Sequence, residues 1–538
     1  MRTGFNPGGR VLGRVPKQPS IKVIPLPSPS KGINAVDPLA TLDPTFCINS
    51  INMIPEGRGM RVRSGYRQFA TNVGTGGVRT IIPFQGSTTA SDRLFATTSA
   101  GIFDISAGGA GAWTADLTFG INSATSGIGV WTNFVLDNGA YFCFYADEAN
   151  GLLQYEQGGS WAVTTGITGV AEADLVFCMQ HKGRLWFVER NSGRSWYLAS
   201  GAVAGAATRF DFGNKFKYGG ALIGLWNWTV DGGDGIDDYL VAISSGGDVI
   251  VYRGSDPATA ATWEVTGQYF IGLPPAGRRI ANGFGGELFL LSQYGVLPMS
   301  RLVSGRPVQE QDVYASRNIS PLIQNKMLES RTQLGWEIKN VPFESVLMVS
   351  TPKQTGFPDL QFVMSSKTSG WAQFQNVPYN CSEVYKGNFF TGGMDSVVYQ
   401  LTGTQDAVAL SGLNGTEIDW SLLTAFTDAG ESGLYHRIQF MRPVFLSGSQ
   451  PNYVALPRYD YDLEDPLALG ATSVTTGALW DSALWDQAVW EGASQSPQER
   501  VFGGSGIGRA LGVALNGNSR TETLLVRIDL MFDTGGLL

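Results

Sequence analysis

One unit recurs through the middle of this chain: strand, tight turn, strand, turn, strand. Its clearest copies read VWTNFVLDNGAYFCFYADEANGLLQYEQG, ADLVFCMQHKGRLWFVERNSGRSWYLA and LIGLWNWTVDGGDGIDDYLVAISSGGDVIVYRG, beginning at Val130, Ala173 and Leu222. Fainter copies lie around Val78, Arg279, Trp336 and Tyr379. Their turns are Asn138-Gly139, Lys182-Gly183, Gly246-Gly247, Gly285-Gly286 and Lys386-Gly387, pairs that supply the positive φ a two-residue hairpin needs. The runs between them are short and rich in β-branched and aromatic residues. An aromatic follows the third strand, at Trp113, Trp161, Phe210 and Trp263 and again at Trp371. It opens a segment read as a fourth, outer strand. The units repeat every 43–59 residues, near the ~40–50 of propeller blades. Each unit has a face it cannot bury alone, and stacking units around an axis buries all of them. The pattern predicts an all-β chain with a six- or seven-bladed β-propeller over 78–410; the competing arrangement is a looser array of β-sandwich sheets. Ile319–Ser330 breaks the pattern, with Ile319, Leu322, Ile323 and Met327 at helical spacing, and reads as a helix inserted between blades.

Composition agrees with strands and turns. Glycine is 70 of 538 residues and charged residues are 16 %, too few to solvate the outer faces of long helices. After Asp406 the runs lengthen: HRIQFMRPVFLSG, NYVALPRYDYDL and TLLVRIDLMFD predict an additional C-terminal β-sandwich-like domain at 411–538. Residues 1–77 form an N-terminal arm and docking segment, extended over 1–32 where Pro, Gly and Ser are dense. No apolar run reaches the ~18 residues of a membrane span. The start of the chain is basic without an apolar signal core, so synthesis in a cytoplasm is expected. Cys47, Cys143, Cys178 and Cys381 are scattered and read as reduced thiols. Residues 1–70 carry ten bases against three acids, a net +7, which leaves −15 on the rest of a chain of net −8. Such a segment is either a solvated tail or an arm that docks on an acidic partner.

The chemistry-bearing residues are sparse. Only His181 and His436 are present, so no zinc site or Ser–His–Asp array is expected. DGGDGIDD holds Asp231, Asp234, Asp237 and Asp238 off the EF-hand spacing, and reads as a hairpin connection. In YDYDLEDP, Asp460 and Asp462 share a face if the chain is extended, the one candidate pair for glycan cleavage. GGSGIGRALG at 503–512 has Leu511 where a dinucleotide loop needs its third Gly, and no βαβ pattern surrounds it. Trp480, Trp485 and Trp490 repeat every five residues, which is neither a helical nor a strand period, and read as a packing ladder of turns. The expectation is a non-enzymatic chain with no catalytic residue, cofactor or metal.

Three stretches together resemble the tail nozzle proteins of short-tailed bacteriophages, the tail-tubular and packaged-DNA-stabilisation group. The first is GINAVDPLATLDPTFCINSINMIPEGRGMRVRSGYRQFA, residues 32–70, through Asp37–Ala40 and then Asn52, Pro55, Arg63 and Gly65. The second and most specific is DDYLVAISSGGDVIVYRGSDPATAATWEVTGQYFIGLPPAGRR, residues 237–279, with its Gly254–Pro257 and Trp263 element, continued by GGELFLLSQYGVLPMS. The third is the ending LLVRIDLMFDTGGLL. The resemblance implies a virion structural protein, made in the bacterial host cytoplasm and placed in the phage tail. It implies a homohexameric ring below the portal and adaptor, adjoining tail fibres or needle. Packaged double-stranded DNA would be retained in the lumen, without sequence-specific binding, and released at infection. It carries no catalytic residues over. The alternatives are a receptor-binding or glycan-cleaving tail protein and a cellular propeller that binds a partner protein.

Overall fold

A computed structural model of the chain describes residues 21–111, 113–231, 236–259, 261–305, 311–354, 356–464 and 496–535. The repeat units fold into antiparallel sheets in chain order. Blade 1 is Thr80–Phe84, Arg93–Thr97, Gly101–Asp104 and Ala115–Thr118; blade 2 is Gly129–Val135, Tyr141–Asp147, Gly151–Glu156 and Ala162–Val163. Blade 3 is Leu175–His181, Arg184–Glu189, Arg194–Tyr197 and Thr208–Asp211; blade 4 is Leu222–Asp231, Ile236–Ser244, Asp248–Gly254 and Trp263–Phe270. Ala281–Phe284, Glu287–Ser292 and Gly295–Pro298 make a three-stranded sheet, blade 5. Blade 6 is Glu337–Val341, Val346–Ser350, Leu360–Ser365 and Trp371–Gln375. Blade 7 is Cys381–Tyr385, Asn388–Gly392 and Val398–Leu401, with Tyr66–Thr71 as its fourth strand. The first strands of successive blades touch one another around a ring, and that of blade 7 touches that of blade 1. The molecule is therefore a β-propeller of six four-stranded blades and one three-stranded sheet.

The turn chemistry explains the hairpins. Lys182 and Gly183 have φ of 45° and 70°, and Lys386 and Gly387 have 48° and 77°, the doubly positive geometry that matches the twist of paired strands. The packing explains the ring. The apolar clusters lie between blades rather than within them. Phe95 of blade 1 meets Tyr155 and Trp161 of blade 2, and Trp186 of blade 3 stacks on Trp263 of blade 4 with ring centres 5.9 Å apart. The trailing aromatics sit at the outer strands as expected, but they do not all face one way. Trp161 and Trp263 fill the seam with the preceding blade, whereas Phe210 of blade 3 packs on Tyr252 and Trp263 of the following one. Among the described residues blade 5 has no fourth strand. The helices Met299–Val303 and Ser320–Ser330 lie against its last strand and cover the edge it would otherwise expose. Ile319, Ile323 and Met327 are buried there, the face that helical spacing predicted.

The C-terminal strands form a sandwich. One sheet pairs His436–Ser447 with Thr523–Thr534 along their length. The other runs from the outer strand of blade 6 through Cys47–Ile51, Ile418–Thr424 and Leu511–Ser519 to Asn452–Tyr459. Their inner faces meet through Trp420, Phe445 and Tyr453, with Phe445 5.7 Å from Trp420 and 4.8 Å from Tyr453 between ring centres.

Strands cross the boundaries that the repeat suggests at 77/78 and 410/411. Lys22–Pro27 pairs with Thr523–Thr534, and Gly59–Val62 pairs with the same strand further along. The described part of the N-terminal segment is thus built into the sandwich up to Val62, and then supplies the closing strand of blade 7. Each of these sheets would otherwise present an open edge, and this segment covers it. It also changes the meaning of the +7/−15 charge split. Lys22 pairs with Glu431, Arg61 with Glu56 and Glu344, and Arg63 with Asp406. Much of the basic segment is neutralised by acids of its own chain. Arg2, Arg10, Arg14 and Lys17 lie outside the described residues.

Arg63 is the joint of this arrangement. Its side chain is 1 % exposed. Nη1 and Nη2 donate to the two oxygens of Asp406, each at 2.7 Å, and Nε donates to Asn52 Oδ1 at 2.9 Å. Nη1 also reaches Ser64 O at 2.9 Å and Nη2 reaches Gln375 O at 3.3 Å, so all five donors are engaged. Gly65 follows because a Cβ there would stand 1.9 Å from Gln405 O. Removing one partner of a buried ion pair strands the other charge, at a cost of about 3–5 kcal/mol. Arg63→Ala and Asp406→Ala should each lower stability by about that amount in chemical denaturation. The double replacement Arg63→Met with Asp406→Leu should recover most of the loss; a double variant as unstable as the sum of the singles contradicts this account.

Candidate functional site

The first strands of the blades surround an axial channel of about 360 Å³, and residues from all seven line it, among them Thr80, Trp131, Gln180, Asn227, Asn282, Lys339 and Glu383. Alternation explains why polar groups stand here in otherwise apolar strands: one face of each inner strand packs on a neighbouring blade and the residues between point inward.

Two charged groups organise the channel. Arg279 enters just before blade 5. Its Nε donates to Gly129 O at 3.1 Å, and Nη2 donates to Arg79 O at 2.8 Å, Thr80 Oγ1 at 2.6 Å and Gly129 O at 3.0 Å. Glu337 of blade 6 lies 4.0 Å from Nη1. One guanidinium thereby ties blades 1, 2, 5 and 6 across the axis. Glu337 is fixed in turn: its Oε2 accepts Tyr379 Oη at 2.5 Å and Ser382 N at 3.1 Å. Burial, followed by the neighbouring Glu337 carboxylate, pushes the Tyr379 phenol well above its ordinary range. The second group is Glu383, whose Oε2 accepts Lys339 Nζ at 2.7 Å and Trp131 Nε1 at 3.1 Å. The wall charges are thus paired across blades, and their geometry is that of a lock between blades.

The residues singled out in the sequence do not converge on this channel. His181 is 3 % exposed, with Nδ1 2.7 Å from Asn227 Oδ1 and its ring against Trp263. His436 is wholly buried against Phe532. Asp460 and Asp462 do not lie on one face of a strand. The strand ends at Tyr459, and Asp460 and Tyr461 have φ of 49° and 68°. Asp460 Oδ1 accepts the amides of Arg509 and Ala510 at 2.7 and 3.1 Å, whereas Asp462 pairs with Arg458 at 3.4 Å. Each carboxylate is held by a different local partner, so the extended reading of this pair is corrected. The strands that flank the acidic run pair with Val230 opposite Asp237 and Asp231 opposite Ile236; Asp234 lies outside the described residues. The glycine run 503–512 leads into the strand Leu511–Ser519, not a helix. Trp480, Trp485 and Trp490 lie outside the described residues. All four cysteines are free and buried. Among the described residues no group of three His, Cys, Asp or Glu is placed to hold a metal ion, and no helix is long and apolar enough to cross a membrane. Sequence reasoning missed Arg279, Glu337, Lys339 and Glu383. The available signal was a charged residue in, or just before, the first strand of a repeat unit, as at Arg279, Glu337, Lys339 and Glu383.

No family model and no curated protein matches the chain. Among solved structures, the computationally designed Ika8 protein aligns with 63 % of this chain and 99 % of its own, at 8 % identity and a TM-score of 0.35. YCF48 bound to D1 peptide aligns with 62 % of this chain and 97 % of its own, at 14 % identity and a TM-score of 0.32. BBS1N in complex with ARL6DN aligns with 44 % and 74 %, at 13 % identity and a TM-score of 0.27. The architecture rests on the strand pairing described above.

Two outcomes follow from these contacts. Arg279→Met removes a charged donor set from blades 1 and 2 and should lower stability by about 2–3 kcal/mol, measured by chemical denaturation; an unchanged midpoint contradicts its role as a tie. Burial lowers the pKa of His181, against the opposing hydrogen bond from Asn227. Below its ordinary value of about 6.5 the unfolded chain binds this proton and the folded chain resists it, so stability falls as pH falls through that range. Between about pH 7.5 and 5.5, His181→Gln should lose less stability than the parent chain; equal losses exclude His181 as a contributor.

Proposed function

We propose that this chain is a virion structural protein, a subunit of the nozzle ring of a short-tailed phage, acting without catalysis. The observation that carries the reading is the resemblance of residues 237–279, with its Gly254–Pro257 and Trp263 element. In the fold this stretch is a structural device: Gly254 pairs with Trp263 across the last turn of blade 4, and Asp256 accepts Arg184 Nη2 at 3.2 Å. The resembling N-terminal residues Asn52, Arg63 and Gly65 meet at the buried joint with Asp406. Residues that recur for architectural reasons suit a protein whose task is to be an assembled part.

On this reading DNA would not pass along the propeller's own axis. Arg279 crosses it, and a channel of about 360 Å³ is the size of a small-molecule pocket. The lumen would instead be formed between subunits around a six-fold ring. Walls that are acidic or neutral would let a duplex slide, because basic walls hold phosphates through counterion release. Contacts to the portal or adaptor would fall to the basic residues before Ile21, since those from Lys22 onward are largely paired within the chain. For the glycan-cleaving alternative, its candidate acids Asp460 and Asp462 have different local partners.

Solution mass and electron micrographs of the purified protein test the proposal. A hexameric ring with an open centre is the expected result. A trimer would point to an adhesin, and a stable monomer to a partner-binding cellular propeller; either sinks the nozzle reading. The ring should bind duplex DNA weakly at physiological salt, and removal of residues 1–20 should impair attachment to the tail while leaving the fold intact. Tight, steeply salt-dependent DNA binding would refute the charge argument.

A further inference from the structure

On the far side of Arg279, where the loops between blades converge, lies a second cavity of about 430 Å³. Three arginines stand on its wall, Arg278, Arg279 and Arg331, and its one lining carboxylate among the described residues is Glu148. Glu148 is already taken. Its Oε1 accepts Arg278 Nε at 2.7 Å and lies 2.6 Å from Nη2. Arg279 is engaged by the carbonyls of blades 1 and 2.

Arg331 differs from both. Its backbone is pinned: its N–H donates to Met327 O at 2.9 Å, and its carbonyl accepts Ala276 N–H at 2.7 Å. Its guanidinium has neither hydrogen bond nor ion pair among the described residues, although it lines the cavity. A guanidinium fork at a cavity wall with no partner is available to a planar or tetrahedral oxyanion. Asn191 and Thr332 stand on the same wall, and their polar side chains make no hydrogen bond among the described residues. The burial of Arg278 works against its charge, and Arg190 nearby adds repulsion, so a bound negative charge would be favourable for the group as a whole. Ile223, Pro274, Pro275 and Leu334 give the wall an apolar part, and Leu334 is 37 % exposed. The volume falls in the range of small-molecule sites.

We propose that this cavity binds a small organic anion. Its phosphate or carboxylate head is held by Arg331 with Asn191 and Thr332, and its apolar body lies against the prolines and Leu334. The site belongs to one propeller and does not depend on the nozzle reading or on ring assembly.

Calorimetric titration of the full-length protein at fixed ionic strength tests it, with phenyl phosphate, benzoate and inorganic phosphate as probes. One saturable site per chain is expected, with phenyl phosphate bound more tightly than inorganic phosphate. Whichever of phenyl phosphate and benzoate binds better assigns the head group. Arg331→Met should weaken binding by about tenfold or more without moving the melting temperature of the free protein, since the side chain has no partner to lose. Leu334→Ser should weaken phenyl phosphate and leave inorganic phosphate unchanged. Absence of saturable binding by both organic probes overturns the proposal, as does an affinity that Arg331→Met leaves unaltered.

Discussion

The closure of blade 7 by Tyr66–Thr71 is the constraint on which the rest of the molecule depends. Each blade buries its apolar faces against its neighbours, so no blade is complete until the ring is. The seam between the last and first blades contains Ala70 from the N-terminal strand, Ile81 and Leu94 from blade 1, and Phe390 and Val398 from blade 7. Tyr66 and Tyr399 meet edge to face, with ring centres 5.3 Å apart, in the adjoining seam. A strand more than three hundred residues away in sequence must return to make these contacts. Loop closure over such a span costs little more than over a shorter one, because the penalty grows only logarithmically with length, but it places the decisive contacts among the least local in the chain.

Arg63 sets that strand in register. It stands three residues before Tyr66 and binds Asp406, which follows the last strand of the ring, so one ion pair fastens both ends of blade 7. Asn52 shares the same node: its Oδ1 accepts from Arg63 and from Gln375 N–H, and its Nδ2 donates to Asp419 O at 2.8 Å. Propeller, sandwich and N-terminal segment are therefore joined through a few buried polar groups whose hydrogen bonds are mutually satisfied. The sheet of blade 6 runs on into the sandwich, so the two parts share backbone pairing as well as side-chain contacts. A relative motion between them would break ladder hydrogen bonds, which favours a rigid unit.

Charge follows the same logic. A basic N-terminal stretch and an acidic remainder look, in sequence, like a free arm and its partner. In the fold, Lys22, Arg61 and Arg63 find their counter-ions within the chain, and Arg67 donates to Leu410 O at 3.4 Å. Around the axis, Arg279 with Glu337 and Lys339 with Glu383 again pair across blades. Arg331 departs from this pattern, which is why its place on a cavity wall is informative.

Local physics made much of this legible. Lys182-Gly183 and Lys386-Gly387 dictate hairpin turns wherever they occur, the trailing aromatics mark outer strands because a large ring at that position fills a seam, and Ile319, Ile323 and Met327 are a helix stripe from spacing alone. What depends on distant chain was not legible. The expected common face of Asp460 and Asp462 failed because the strand turns at Tyr459 to meet Arg509 and Ala510, fifty residues on. Strand pairing crosses the expected boundaries because Lys22–Pro27 and Tyr66–Thr71 answer open edges made by strands near the other end of the chain. The sequence by itself determined the repeat, its turns and its all-β character, since these follow from residues within one or two strands of each other. Only the tertiary structure decided which segment closes the ring, which charges cross the axis and which arginine of the second cavity has no partner among the described residues, because those are settled by which groups remain unsatisfied once the sheets have assembled.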